Sequence, residues 1–102
     1  MIQHIVLIRF RPEITRAAIA DMLAAIAAVG DVVPGIRRIT TGRSLELEKL
    51  EKGFRDGFVV EFEDRAALDA YQNHPDHRRA GARLVEAAEG GLDGILVFDL
   101  ES

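Results

Sequence analysis

Three short stretches of this chain read as strands that are apolar on both faces, and no other feature narrows the fold so far. Residues 2–10 are rich in β-branched and aromatic side chains. Alternation puts Ile2, Val6, Ile8 and Phe10 on one face with His4, and Ile5 and Leu7 on the other. Residues 56–63 put Asp56, Phe58, Val60 and Phe62 on one face, and Gly57, Val59, Glu61 and Glu63 on the other. Residues 95–100 are again apolar on both sides. A strand of this kind needs cover on both sides, so one layer of helices cannot complete the structure.

The segments between the strands supply that layer. Pro12 marks a helix start, with Glu13 suited to the positive end of its dipole. Ile19, Met22, Leu23 and Ile26 repeat at helical spacing, and Gly30-Asp31 ends the helix. Pro34-Gly35 is a turn, followed by a strand over 36–42 that is polar at alternate positions. Residues 43–54 are charged, with Leu45, Leu47 and Leu50 interspersed, and read as a loop or short helix. Asp64 is a good N-cap for a helix carrying Ala66, Ala67, Leu68 and Ala70. That helix must stop before Pro75, which then opens another running through Leu84 and Val85 to Gly90-Gly91. The order is β-α-β-β-α-β, with the second helix broken at the proline: a ferredoxin-like α+β domain spanning residues 1–102. Its four-stranded antiparallel sheet carries both helices on one face. A bare apolar sheet face exceeds what a monomer usually exposes, so a second copy is expected there, in a symmetric homodimer.

With 102 residues, one domain of modest core is expected. A net charge of -4 argues against general nucleic-acid binding, which needs a basic surface. There is no cysteine, which excludes thiol chemistry and disulfides and fits a reducing, cytoplasmic setting. The N-terminus has no signal-peptide pattern, and no apolar run approaches a membrane span.

The chemistry-bearing residues gather in Tyr71-Gln72-Asn73-His74-Pro75-Asp76-His77. An imidazole near its ordinary pKa can take a proton at neutral pH, and a phenol can hydrogen-bond a developing enolate. Tyr71 and His77 therefore suit proton abstraction beside a carbonyl. The alternative is that Tyr71 packs on the sheet while His77 caps or solvates the helix. His4, on an apolar face, reads as a pocket-lining or interface residue, and Asp56 on the same face of a neighbouring strand would pair with it. His74 fits the N-cap of the helix opened by Pro75. A metal site from His74, Asp76 and His77 lacks regular ligand spacing, and none is expected. Arg37, Arg38 and Arg43 read as the solubilising charges of an edge strand. Asp99 and Arg9 read as structural. There is no Gly-rich phosphate loop or nucleophile elbow.

Taken together, several pieces resemble the Dabb family of stress-responsive dimeric α/β-barrel domains. They are His4-Ile5-Val6-Leu7, Pro34-Gly35, Gly57-Phe58-Val59-Val60-Glu61-Phe62, Leu68, Ala70-Tyr71, His74-Pro75-x-His77 and Leu96-Val97-Phe98-Asp99. The resemblance covers essentially the whole chain. It implies a homodimer formed through the sheet face, with a cavity in each subunit, lined here by His4, Val6, Asp56 and Phe58. A polyketide cyclase of this family closes an aldol-type ring without a cofactor. Its catalytic tyrosine and histidine match Tyr71 and His77, and a further pocket histidine matches His4. Its third-strand histidine falls on Asp56, where this chain departs from it. The resemblance therefore implies a small homodimer that binds a small, largely apolar molecule with no cofactor. The alternatives are a cofactor-independent aldol, cyclase or proton-transfer enzyme using Tyr71 and His77, or a structural stress protein without a ligand.

Overall fold

The alternation in the first strand survives folding intact: along β1 (Ile2–Ile8) buried and half-buried residues alternate strictly. The computed structural model describes residues 1–102. β1 lies inside a four-stranded antiparallel sheet of order β2-β3-β1-β4, with β2 at Ile36–Arg43, β3 at Asp56–Phe62 and β4 at Ile95–Glu101. The register sets His4 opposite Val60 on one side and opposite Asp99 on the other.

Strand β1 stops at Ile8, two residues short of the expected end. There the chain leaves the sheet, and Arg9 exchanges backbone hydrogen bonds with Gly94 and Glu89. Phe10 keeps only an isolated bridge to Ala88. Pro12 does not open the first helix. Residues 11–14 form a turn closed by the Ile14 N–H on the Arg11 carbonyl. Helix α1 (Arg16–Ala28) begins after Thr15, whose hydroxyl accepts the Ala18 N–H. A side-chain cap satisfies a free helix-end donor, which proline only tolerates missing. The α1 residues Ile19, Met22, Leu23 and Ile26 enter the core as their spacing requires.

Helix α2 (Arg65–Asn73) is capped by Asp64, which accepts the Ala67 N–H. Helix α3 (Pro75–Ala87) follows after the single residue His74, with Pro75 in its first turn and the His74 side chain accepting the Asp76 N–H. Gly35, between α1 and β2, has a φ of 88°, and a Cβ there would lie 2.6 Å from that of Ala67, so glycine is required. Residues 44–55 form a loop without a helix, with Glu46, Lys49 and Lys52 in left-handed backbone conformations.

The helices cover one sheet face, where Ile2, Val6, Ile8, Phe58, Val60 and Phe62 join the helix side chains in one core. Ile5 and Leu7 of the opposite face stay half-buried, beside exposed Leu96, Phe98 and Leu100. That leaves an apolar sheet face open to solvent. The helical layer also stops short of β4, so Val97 on the covered face is still 52% exposed.

Candidate active site

Because the helices stop short of β4, a cavity of about 410 Å³ opens between that edge of the sheet and α3. The sheet contributes His4, Val6, Phe58, Ile95 and Val97, α1 contributes Ile26, and the other helices contribute Gln72, His77, Arg78, Leu84 and Val85. The walls are predominantly apolar, with both histidines among the few polar groups.

The break at His74-Pro75 aims His77. With α2 and α3 as separate helices, His77 in the first turn of α3 swings back over the last turn of α2. Its ring centroid lies 4.3 Å from that of Tyr71. Its Nδ1 is 3.3 Å from the Gln72 carbonyl oxygen. A carbonyl only accepts, so Nδ1 carries the proton and Nε2 keeps its lone pair. Burial lowers the His77 pKa below its ordinary 6.5; the Gln72 carbonyl partly opposes this, while His4 and Arg78 push it further down. His77 is therefore a neutral base at neutral pH.

Tyr71 is fully buried and does not itself line the cavity. Its ring meets those of Phe62, His4 and His77 at centroid distances of 5.2, 5.8 and 4.3 Å. No protein group partners its hydroxyl. Burial raises its pKa well above the ordinary 10, so the phenol keeps its proton throughout the neutral range.

His4 does line the cavity, but its expected partner is wrong. Its Nδ1 lies 2.6 Å from Asp99 Oδ1, not near Asp56. The register explains this: Asp99 sits directly across from His4 on β4, whereas Asp56 faces Ile8 at the far end of β3. Asp56 instead accepts two hydrogen bonds from Arg16, at 2.8 and 3.1 Å, which pins the start of α1 to the sheet. That contact raises the Arg16 pKa. Asp56 lies outside the histidine cavity and lines a separate depression beneath the 44–55 loop. Val6 and Phe58 are in the cavity wall. His74 is spent on its helix cap, and no three acidic or imidazole groups converge as metal ligands would. Arg38 pairs with Glu61 at the sheet edge.

Two contacts of the cavity histidines were missed from sequence. Asp99 holds His4, a pairing that the strand order would have exposed. The Gln72 carbonyl fixes His77, a backbone contact without any residue-type signal.

The stress responsive A/B barrel domain (Dabb) model matches residues 2–102. Olivetolic acid cyclase from Cannabis sativa is 22% identical over 98 residues, covering 96% of this chain and 93% of the cyclase. A dimeric ferredoxin-like protein of unknown function from Jannaschia sp. CCS1 superposes with a TM-score of 0.92 at 36% identity, over 99% of this chain and 98% of that one. The hydroxynitrile lyase of Passiflora edulis shares the fold, with a TM-score of 0.84 at 18% identity over 97% of this chain and 90% of the lyase. No helix here is long and apolar enough to cross a membrane. The chain belongs to the stress responsive A/B barrel domain family.

Proposed function

We propose that this protein is a homodimer that binds a small, largely apolar carbonyl compound in the cavity between β4 and α3 and moves a proton on it without a cofactor. The observation that carries this reading is the state of His77. It is a neutral imidazole, anchored through Nδ1 on the Gln72 carbonyl, with Nε2 left free and its ring in the wall of an apolar cavity. His77 takes the proton from the carbon beside the carbonyl, and the electron pair moves onto the carbonyl oxygen. The Tyr71 hydroxyl lies behind the cavity wall with no protein partner, and this reading assigns it as the hydrogen-bond donor for that oxygen once the wall opens to admit the ligand. The unmet hydroxyl costs about 1–3 kcal/mol where it stands, which a ligand oxygen would relieve. The open sheet face, with Phe98 55% exposed, is the surface on which a second copy docks. The dimeric description of the Jannaschia protein supports that assembly.

Binding without turnover is the second reading, favoured by Tyr71 standing outside the cavity wall. One assay separates the two. Exchange of the acidic C–H of an alkyl β-diketone into deuterated water, followed by NMR, is accelerated by the wild-type protein and returns to background in His77→Ala. A probe that binds without any accelerated exchange leaves only the binding reading.

A further inference from the structure

In the proposed reaction the carbonyl oxygen is left negative, held by a hydrogen bond but not protonated. Tyr71 can hold an oxyanion by a hydrogen bond, but burial keeps it protonated, so it does not hand its proton over. His77 begins neutral and is the acceptor. The remaining titratable ring in the cavity is His4, 95% buried and with its Nδ1 already committed to Asp99. Because a carboxylate only accepts, His4 carries a proton on Nδ1, and its Nε2, which has no protein partner, is the nitrogen left to act on a ligand. Asp99 is 42% exposed at the side chain, and lines a second depression on the outer side of the pair with Arg65, Asp69 and Glu101.

We propose that His4 is the acid of this site: its Nε2–H protonates the oxygen that becomes negative when His77 removes the carbon-bound proton, and Asp99 is its positioning residue. This rests on the proposed proton-transfer function. The step balances. The C–H bond breaks to His77 Nε2, the electron pair moves to oxygen, and the O–H bond forms as the His4 Nε2–H bond breaks. The enol then returns its proton to His4 while His77 delivers its own to the product, and both rings are restored. Asp99 supplies the counter-charge while His4 holds two protons, and fixes which nitrogen faces the ligand. The same logic distinguishes the imidazoles: one rests on a carboxylate, the other on a neutral carbonyl beside Arg78. Environments that push two like groups apart assign acid and base. The groups facing His4 from its neighbours are Tyr71 on α2, His77 on α3 and Asp99 on β4.

Asp99→Asn keeps an acceptor for Nδ1 and removes only the charge, so it is the deciding variant. With an alkyl β-diketone as probe, it lowers exchange by about tenfold or more. It also moves the high-pH limb of the rate profile to lower pH, because the neutral amide no longer offsets the charge on the ring. NMR of the imidazole nitrogens in the full-length protein gives a readout independent of activity. The expected result is a His4 whose Nδ1–H bonds Asp99 and whose Nε2 signal moves when the probe is added, a response lost in Asp99→Asn. Intact His77-dependent exchange in Asp99→Asn, or a slower rate with an unmoved profile, overturns the acid role while leaving the proposed function standing. A His4 Nε2 signal in the wild-type protein that does not move while the probe binds overturns it as well. No exchange by the wild-type protein overturns the proposed function and the acid role together.

Discussion

The His77 ring lies over the ring of Tyr71 at 4.3 Å between centroids, with the planes inclined at 47°. This contact joins two helices that a proline separates, and it makes a buried phenol the support for an imidazole in the cavity wall. The two residues stand differently: His77 lines the cavity, while Tyr71 packs behind it and keeps an unpartnered hydroxyl.

Tyr71→Phe and Tyr71→Ala therefore differ sharply. Phenylalanine preserves the ring contacts with Phe62, His4 and His77 and removes a hydroxyl that no protein group partners. Its stability in urea should stay within about 1 kcal/mol of wild type, or rise slightly, while exchange falls by about tenfold or more. Alanine opens a core cavity and should cost about 3–5 kcal/mol. A Phe variant as unstable as the Ala variant would show that the hydroxyl has a structural partner.

The lowered pKa of His77 predicts a signed pH dependence. Between its lowered folded value and its ordinary 6.5, the folded chain binds fewer protons at this site than the unfolded one. Stability contributed there rises with pH, and is lost as pH falls toward the folded value. His77→Gln should flatten this component when urea midpoints at about pH 5 and about pH 7.5 are compared with wild type. The low-pH limb of exchange activity should likewise fall below the ordinary imidazole value. A limb above 6.5 contradicts the neutral base.

Asp56 and Arg16 test the boundary of the site. Arg16→Ala leaves the buried Asp56 carboxylate without its two hydrogen bonds. Arg16 is half-exposed and water can partly replace it, so a loss of about 1–3 kcal/mol is expected in thermal or urea unfolding. Probe affinity should remain within about twofold of wild type, since the pair lies outside the histidine cavity. A large change in affinity with little change in stability would return Asp56 to the binding site.

The open sheet face predicts a mutable dimer. Phe98 and Ile5 stand opposite each other on adjacent strands of that face. Phe98→Asp places a charge at the centre of the apolar surface, and burying it unpaired in an interface costs several kcal/mol. Sedimentation should give a dimer for wild type and a folded monomer for the variant. A monomeric wild type at micromolar concentration would remove the assembly.

What could be read from the sequence followed how local each signal was. The helix break was legible because Pro75 imposes it within its own chain neighbourhood, and the α1 core stripe because its spacing needs no partner. The start of α1 was not: Pro12 and Thr15 are both start signals, and the hydroxyl bond to Ala18 decides between them only once the backbone is built. Alternation placed His4 and Asp56 on one face, but a face does not fix a register. The partner at hydrogen-bond distance turned out to be Asp99, one strand away on the other side. His77's return over Tyr71 depends on the angle between two helices, for which six residues of spacing carry no information.

The proposed proton transfer depends above all on the state and position of the His77 ring. NMR of its imidazole nitrogens at neutral pH, with and without an alkyl β-diketone, reads both at once. The expected result is a neutral ring protonated at Nδ1, whose Nε2 signal moves when the probe is added. A doubly protonated ring, or an Nε2 signal unmoved while the probe binds, would contradict the claim that His77 is the base of this cavity.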